Sequence, residues 1–204
     1  MYFGRMRFNP ACSFFPLFLA FCVVPGFLSA QNADIRLLRK INLNRNTGLD
    51  PAFRFISNSV APVSIALPVC LGGNGILNHD PVLIRQGIVA GAGILLANAL
   101  SVSLKYAVHR KRPFAEYDDI QKAGRAGPYS FPSGHTTSSF AAATSLCLAF
   151  PRWYVIAPSC LWAGLVAYSR LHLGVHFPSD VLAGILIGAG SSLICYEGNL
   201  HLKK

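Results

Sequence analysis

The sequence predicts an all-α, polytopic membrane helical bundle of about five spans behind an N-terminal signal segment. Three observations carry that expectation. Hydrophobic residues make up 52% of the 204-residue chain and charged residues only 13%, about half the charged share of an ordinary soluble domain. The apolar residues gather into five segments, roughly 59–77, 82–104, 135–150, 153–169 and 179–196, on the scale of a bilayer core. The basic residues cluster between these segments instead of spreading along them, as a chain does whose walls face lipid.

Taken in order, residues 1–30 carry Arg5 and Arg7, an apolar run from Ala11 to Leu28, and Leu28-Ser29-Ala30 before Gln31. That pattern of basic start, apolar middle and small-residue end reads as a signal peptide. An uncleaved first span is the alternative, and Pro16 and Pro25 interrupt it. Residues 31–58 form an interfacial segment: Ile35, Leu38 and Ile41 recur among Arg36, Arg39 and Lys40, which predicts an amphipathic helix lying on the membrane surface. Asp50-Pro51 reads as the N-cap and first-turn proline of a second short helix.

Residues 59–204 then hold the spans. The last three segments are shorter than the roughly 20 residues a span needs. They reach that length only by including polar residues at one end, so the chemistry is expected at the interface. Short turns at Asn78–Pro81 and Pro151–Arg152 place 105–134 and 169–178 on a common side. Gly87/Gly91 and Gly184/Gly188 have the small-xxx-small spacing of closely packed helices. Asn98 is expected to face the bundle interior. More of the 18 Lys and Arg residues fall on the motif side than opposite it, against the positive-inside tendency. The signal segment argues for an outward-facing motif side all the same.

The formal charge of +10 sits in the connectors, which argues against nucleic acid and for phosphorylated or anionic lipid as the partner. The six Cys all lie in apolar runs with no metal-ligand spacing, so they read as small buried hydrophobes. Glu116, Asp118 and Asp119 match no metal motif, and no metal or cofactor is expected.

Three polar stretches carry chemistry. In Lys105-x6-Arg112-Pro113 the seven-residue spacing is almost two helical turns, which would put both cations on one face, suited to a phosphate. In Pro132-Ser133-Gly134-His135, Ser133 reads as an N-cap and Gly134 admits a ligand close to the backbone. His135 stands where a proton donor is useful. In Ser169-Arg170-x5-His176-x3-Asp180, Pro178 reads as a first-turn proline. His176 and Asp180 would then share one face, so that the carboxylate holds one ring nitrogen and frees the other.

In this order, with spans between them, the three stretches resemble the type-2 phosphatidic-acid phosphatase and vanadium haloperoxidase superfamily, in its bacterial membrane branch. The resemblance covers roughly residues 95–196. It implies a metal-independent lipid phosphatase acting on undecaprenyl pyrophosphate, phosphatidic acid, phosphatidylglycerophosphate or lipid A. His176 would be the nucleophile, Asp180 its orienter and His135 the proton donor. Lys105, Arg112, Ser133, the Gly134 N–H and Arg170 would hold the phosphate oxygens. His109 and His172 would be supporting or structural residues. Arg110 and Lys111 would meet head groups or the substrate's remainder, and the 114–131 loop would gate lipid entry. The implied location is the bacterial inner membrane with the site facing the periplasm. Competing readings are a non-catalytic lipid-binding or transport protein on this scaffold, and a vanadate-dependent haloperoxidase. The sequence leaves the oligomeric state open.

Overall fold

The computed structural model describes residues 27–201, so most of the expected signal segment lies outside the described residues. The chain divides into two compact units at Ala33/Asp34, and the second, Asp34–Lys204, holds the bundle. Every regular element among the described residues is helical: α1 (Phe27–Asn42), α2 (Asp50–Asn58), α3 (Val60–Leu77), α4 (Pro81–Val108), α5 (Pro113–Glu116), α6 (Gly134–Ala149), α7 (Trp153–His172) and α8 (Pro178–His201), with a 3-10 turn at Thr47–Leu49.

Local chemistry sets the helix ends. Asp80 caps α4 by accepting from Val82 N at 2.8 Å and Leu83 N at 3.2 Å, and Pro81 supplies the preset first turn. The far end of α4 stops at His109, which takes the left-handed conformation at φ 52°. Three stretches are long and apolar enough to cross a membrane alone: Thr47–Leu77, Pro81–Glu116 and Pro178–His201. Helices α6 and α7 occupy the places of the two other expected spans. With 16 residues, α6 is shorter than a full span. It packs against α3, α4, α7 and α8, at the centre of the bundle.

Burial is inverted relative to a soluble protein. Large side chains face outward: Leu77 is 82% exposed, Leu95 72%, and Ile65 and Ile88 67% each. The interior holds Ala97, Ala141, Ala142 and Ala163 with buried Ser and Thr. Lipid offers no hydrophobic reward for burying Leu, so close approach of small residues and interhelical hydrogen bonds hold such a bundle. Ser145 and Ser192 pair at 3.0 Å across α6 and α8, and Ser138 donates to Asn98 at 2.8 Å across α6 and α4. Asn98 therefore faces inward, as expected. A Cβ on Gly184 would meet Ser133 O at 2.8 Å, and one on Gly87 would meet Gly72 N at 2.6 Å. Gly188 lies so close to Thr137 O and Ala141 N that no side chain fits.

The N-terminal region differs from the expectation. Ile35 and Leu38 on α1 are buried in a cluster with Ile120 and Phe177. The apolar face of this helix is spent on protein, not laid on lipid. Asp50 is the first residue of α2 with Leu49 in the cap position, and its side chain caps nothing. Instead its carboxylate meets His172 Nε2 at 2.8 Å and Arg45 Nε at 3.2 Å, tying α2 to the end of α7. A buried imidazole offered a stronger partner than an exposed amide.

Candidate active site

Six of the eight residues expected at the site, Lys105, Arg112, Gly134, His135, Arg170 and His176, line one cavity of about 350 Å³. They come from α4, the connector after it, the start of α6, the end of α7 and the loop before α8. The route to this convergence differs from the helical-face expectation. Because α4 ends at Val108 and His109 turns the chain, Arg112 is not on the helix of Lys105. Both cations reach the cavity because the turned connector folds back. His176 likewise precedes α8, so it shares no helical face with Asp180. Asp180, the third residue of α8, reaches back and accepts from Phe177 N at 2.9 Å.

Each cation is held by backbone carbonyls. Lys105 Nζ donates to Pro132 O at 2.5 Å, and Arg112 donates to Gly127 O at 2.6 Å and Val175 O at 2.7 Å. Arg170 donates to Ser57 Oγ and, at 3.1 Å, to Arg125 O. These bonds fix three side chains without neutralising their charge, and the Nε of Arg170 is buried with no partner. A desolvated cationic cradle with an unused donor suits an oxyanion.

Arg112 NH1 lies 3.2 Å from His176 Nε2. A guanidinium only donates, so Nε2 carries the lone pair and the proton sits on Nδ1. That Nδ1 is 3.5 Å from Asp180 Oδ2. Burial pushes the His176 imidazole down to about 3, with Arg112 and Arg170 adding to the effect and Asp180 opposing it. The ring is therefore neutral at physiological pH, with its Nε2 lone pair facing Arg112 at the cavity wall.

Asp180 does not line the cavity but sits behind His176, fully buried, with Ser130 Oγ donating to it. Ser133 holds the cap position of α6 but makes no side-chain cap bond. It is 0% exposed and its hydroxyl pairs with Thr136 Oγ1 at 2.9 Å. The backbone N–H of Ser133 donates to Asp180 O at 3.0 Å, joining the second and third motifs. His109 packs edge-on against Tyr129, centroids 4.6 Å apart, and His172 is buried against Phe53. Neither lines the cavity. Asp119 pairs with Arg39 at 2.7 Å, which lowers its carboxyl below the usual range, and no metal-ligating cluster occurs among the described residues.

Sequence reasoning missed Ser57, Ser130, Asp34 and the carbonyls of Arg125 and Gly127. A Ser or a carbonyl carries no motif, and each lies in a segment remote from its partner. It also misplaced Arg110, expected to meet head groups or the substrate's remainder. Arg110 donates to Asp180 Oδ1 at 2.7 Å and to Asp34 Oδ2 at 2.8 Å. Its place two residues before Arg112 was the one available signal.

The likeness to known proteins agrees with this geometry. Over 108 residues the chain is 40% identical to the decaprenylphosphoryl-5-phosphoribose phosphatase of Mycobacterium tuberculosis, covering 52% of this chain and 56% of that protein. The chain thus matches little more than half the length of that curated relative. The crystal structure of Aquifex aeolicus LpxE superposes with a TM-score of 0.71 at 30% identity, covering 81% of this chain and 95% of that one. The transmembrane PAP2-type phosphatidylglycerolphosphate phosphatase from Bacillus subtilis gives 0.72 at 25% identity, over 95% and 96% of the two chains. Residues 86–201, which hold all six of those cavity-lining residues, match the family model of the PAP2 superfamily, and the chain is a multi-pass membrane member of that superfamily.

Proposed function

We propose that this protein is a metal-independent lipid phosphatase that removes a phosphate, as a monoester or from a diphosphate, through a phosphohistidine intermediate. The observation that carries the reading is the convergence of Lys105, Arg112, Arg170 and neutral His176 on one cavity, with Asp180 behind the imidazole. The anionic substrate offsets the cations around His135 and lets it hold a proton; His176 Nε2 attacks phosphorus, and the bond to the leaving oxygen breaks as His135 gives that proton to the oxygen. His135 then takes a proton from water, which attacks phosphorus, breaks the P–N bond and releases orthophosphate. Charge gathering on the equatorial oxygens meets the three cations and the Gly134 N–H.

A cavity of about 350 Å³ is small for a binding site. It holds a phosphorylated head, while the lipid chain lies outside against exposed side chains such as Val102 and Tyr106 of the Lys105 helix. A membrane-embedded substrate needs no deeper pocket.

Purified protein in detergent should release phosphate from at least one of undecaprenyl pyrophosphate, phosphatidic acid, phosphatidylglycerophosphate and lipid A. Retained binding without turnover on all four would favour a lipid-binding protein instead. We read the site as facing the periplasmic side of a bacterial inner membrane, a reading supported by the basic-then-apolar pattern of residues 1–30. With the six native Cys replaced by Ser, Gly127→Cys should then react with an impermeant maleimide in intact spheroplasts, and protection until lysis would reverse the orientation.

A further inference from the structure

We propose that Arg110 and Asp34 are positioning residues that set the carboxylate behind the nucleophile, so that α1 belongs to the catalytic apparatus. This rests on the phosphotransfer reading of the site. Arg110 is anchored on every side. One guanidinium nitrogen donates to Asp180 Oδ1 and to Ser179 Oγ, both at 2.7 Å. The other donates to Asp34 Oδ2 at 2.8 Å, and the guanidinium carbon lies 4.0 Å from the centroid of the Phe177 ring. A residue whose task is to meet lipid head groups would not be so engaged.

Asp34 is the unusual member, because it reaches the site from α1. Only 8% exposed, it accepts from Ser179 N at 2.8 Å and from Ser179 Oγ and Arg110. Pro178 has no N–H to offer, so Ser179 presents the first free amide of α8. Asp34 caps it from 145 residues away in the chain. The helix that carries Asp180 is thereby fixed in position by the same carboxylate that holds Arg110.

The charges explain why both residues are needed. Asp180 is fully buried, and its Oδ2 takes Phe177 N and Ser130 Oγ, which leaves Oδ1 for Arg110. A buried carboxylate without a countercharge is costly, and Arg110 supplies it. Arg110 by itself would cancel the negative field at His176 Nδ1, 3.5 Å from Asp180. Asp34 restores it: Asp34, Arg110 and Asp180 together carry one net negative charge. That charge faces the ring that becomes cationic when Nε2 bonds to phosphorus. The trio holds the proton on Nδ1 in the resting enzyme and stabilises the phosphorylated imidazole.

The test combines kinetics with ¹⁵N-imidazole NMR of the full chain in detergent, using Arg110→Ala, Arg110→Lys, Asp34→Asn and Asp34→Asn/Arg110→Ala. Arg110→Ala should lower kcat by roughly 10–100-fold, as loss of an orienting partner does, with KM little changed. Arg110→Lys should recover part of that loss. Asp34→Asn should lower kcat less, and not further once Arg110 is gone. The His176 proton should sit on Nδ1 in the wild type and redistribute between the ring nitrogens in Asp34→Asn, whose trio carries no net charge, but stay on Nδ1 in Arg110→Ala, whose two carboxylates keep the negative field there. A wild-type tautomer in Asp34→Asn would overturn the proposal, as would losses that add independently or appear only in KM. If Arg110→Ala does not fold, Arg110→Lys supplies the kinetic comparison and Asp34→Asn the tautomer. If the wild type hydrolyses none of the lipid phosphates, the functional reading falls, while the tautomer comparison still decides this one.

Discussion

At the residue scale the site turns on one imidazole whose two nitrogens meet opposite charges. Arg112 faces Nε2 at 3.2 Å, and Asp180 faces Nδ1 at 3.5 Å. His176→Ala removes the atom proposed to attack phosphorus, so turnover should fall to background while expression and monodispersity in detergent persist. Arg170→Ala should lower kcat by roughly 10²–10³-fold, the usual loss for a preorganised donor to a developing oxyanion, measured against the same lipid. The imidazole also sets a stability dependence. Its pKa in the folded chain, about 3, lies below its ordinary 6.5, so between these values the unfolded state binds the proton first. This contribution is complete above pH 6.5 and lost as pH falls toward 3, by up to about 1.4 kcal/mol per pH unit. His176→Asn should flatten that part of the fall in thermal midpoint between pH 6.5 and 4. An unchanged slope would place the proton elsewhere.

At the element scale, the contact between α6 and α8 holds the second and third motifs in register. Gly188 sits against Thr137 and Ala141, whereas a Cβ at Gly190, two residues along the same helix, meets nothing within 4 Å. Gly188→Val should therefore separate the helices and cost about 1–3 kcal/mol by overpacking. Gly190→Ala should be neutral or slightly stabilising. Thermal unfolding in detergent reads both, and equal effects would mean that this interface is loose. The bond from Ser133 N to Asp180 O crosses the same contact, so Gly188→Val should lose activity at temperatures where it remains folded.

For the whole molecule, three cations and no metal-ligating cluster among the described residues lead to a paired expectation. Phosphate release should be unaffected by EDTA, and vanadate should inhibit as a mimic of the five-coordinate transition state. Strict dependence on Mg²⁺, or indifference to vanadate, would require a different reaction path. The inverted burial, with Leu77 and Leu95 outside and alanines inside, makes the bundle dependent on lipid or detergent. The contact of α1 with the connector through Ile35, Leu38, Ile120 and Phe177 ties that bundle to a polar-side cap.

The sequence alone determined what is local. Apolar runs mark the bundle helices, Asp80-Pro81 starts one, and the order of three polar stretches names the cavity-lining residues. Periodicity and end chemistry act within a few residues, so a linear reading reaches them. The tertiary structure decided which of two neighbouring arginines serves which charge. Arg112 faces the His176 imidazole and Arg110 the Asp180 carboxylate, because His109 turns the chain at φ 52° and ends the helix before either. It also brought in Asp34, Ser57 and Ser130, whose partners lie 76, 113 and 50 residues away. No spacing rule extends that far. Those pairings exist because a desolvated charge takes the best partner the packed chain brings within reach.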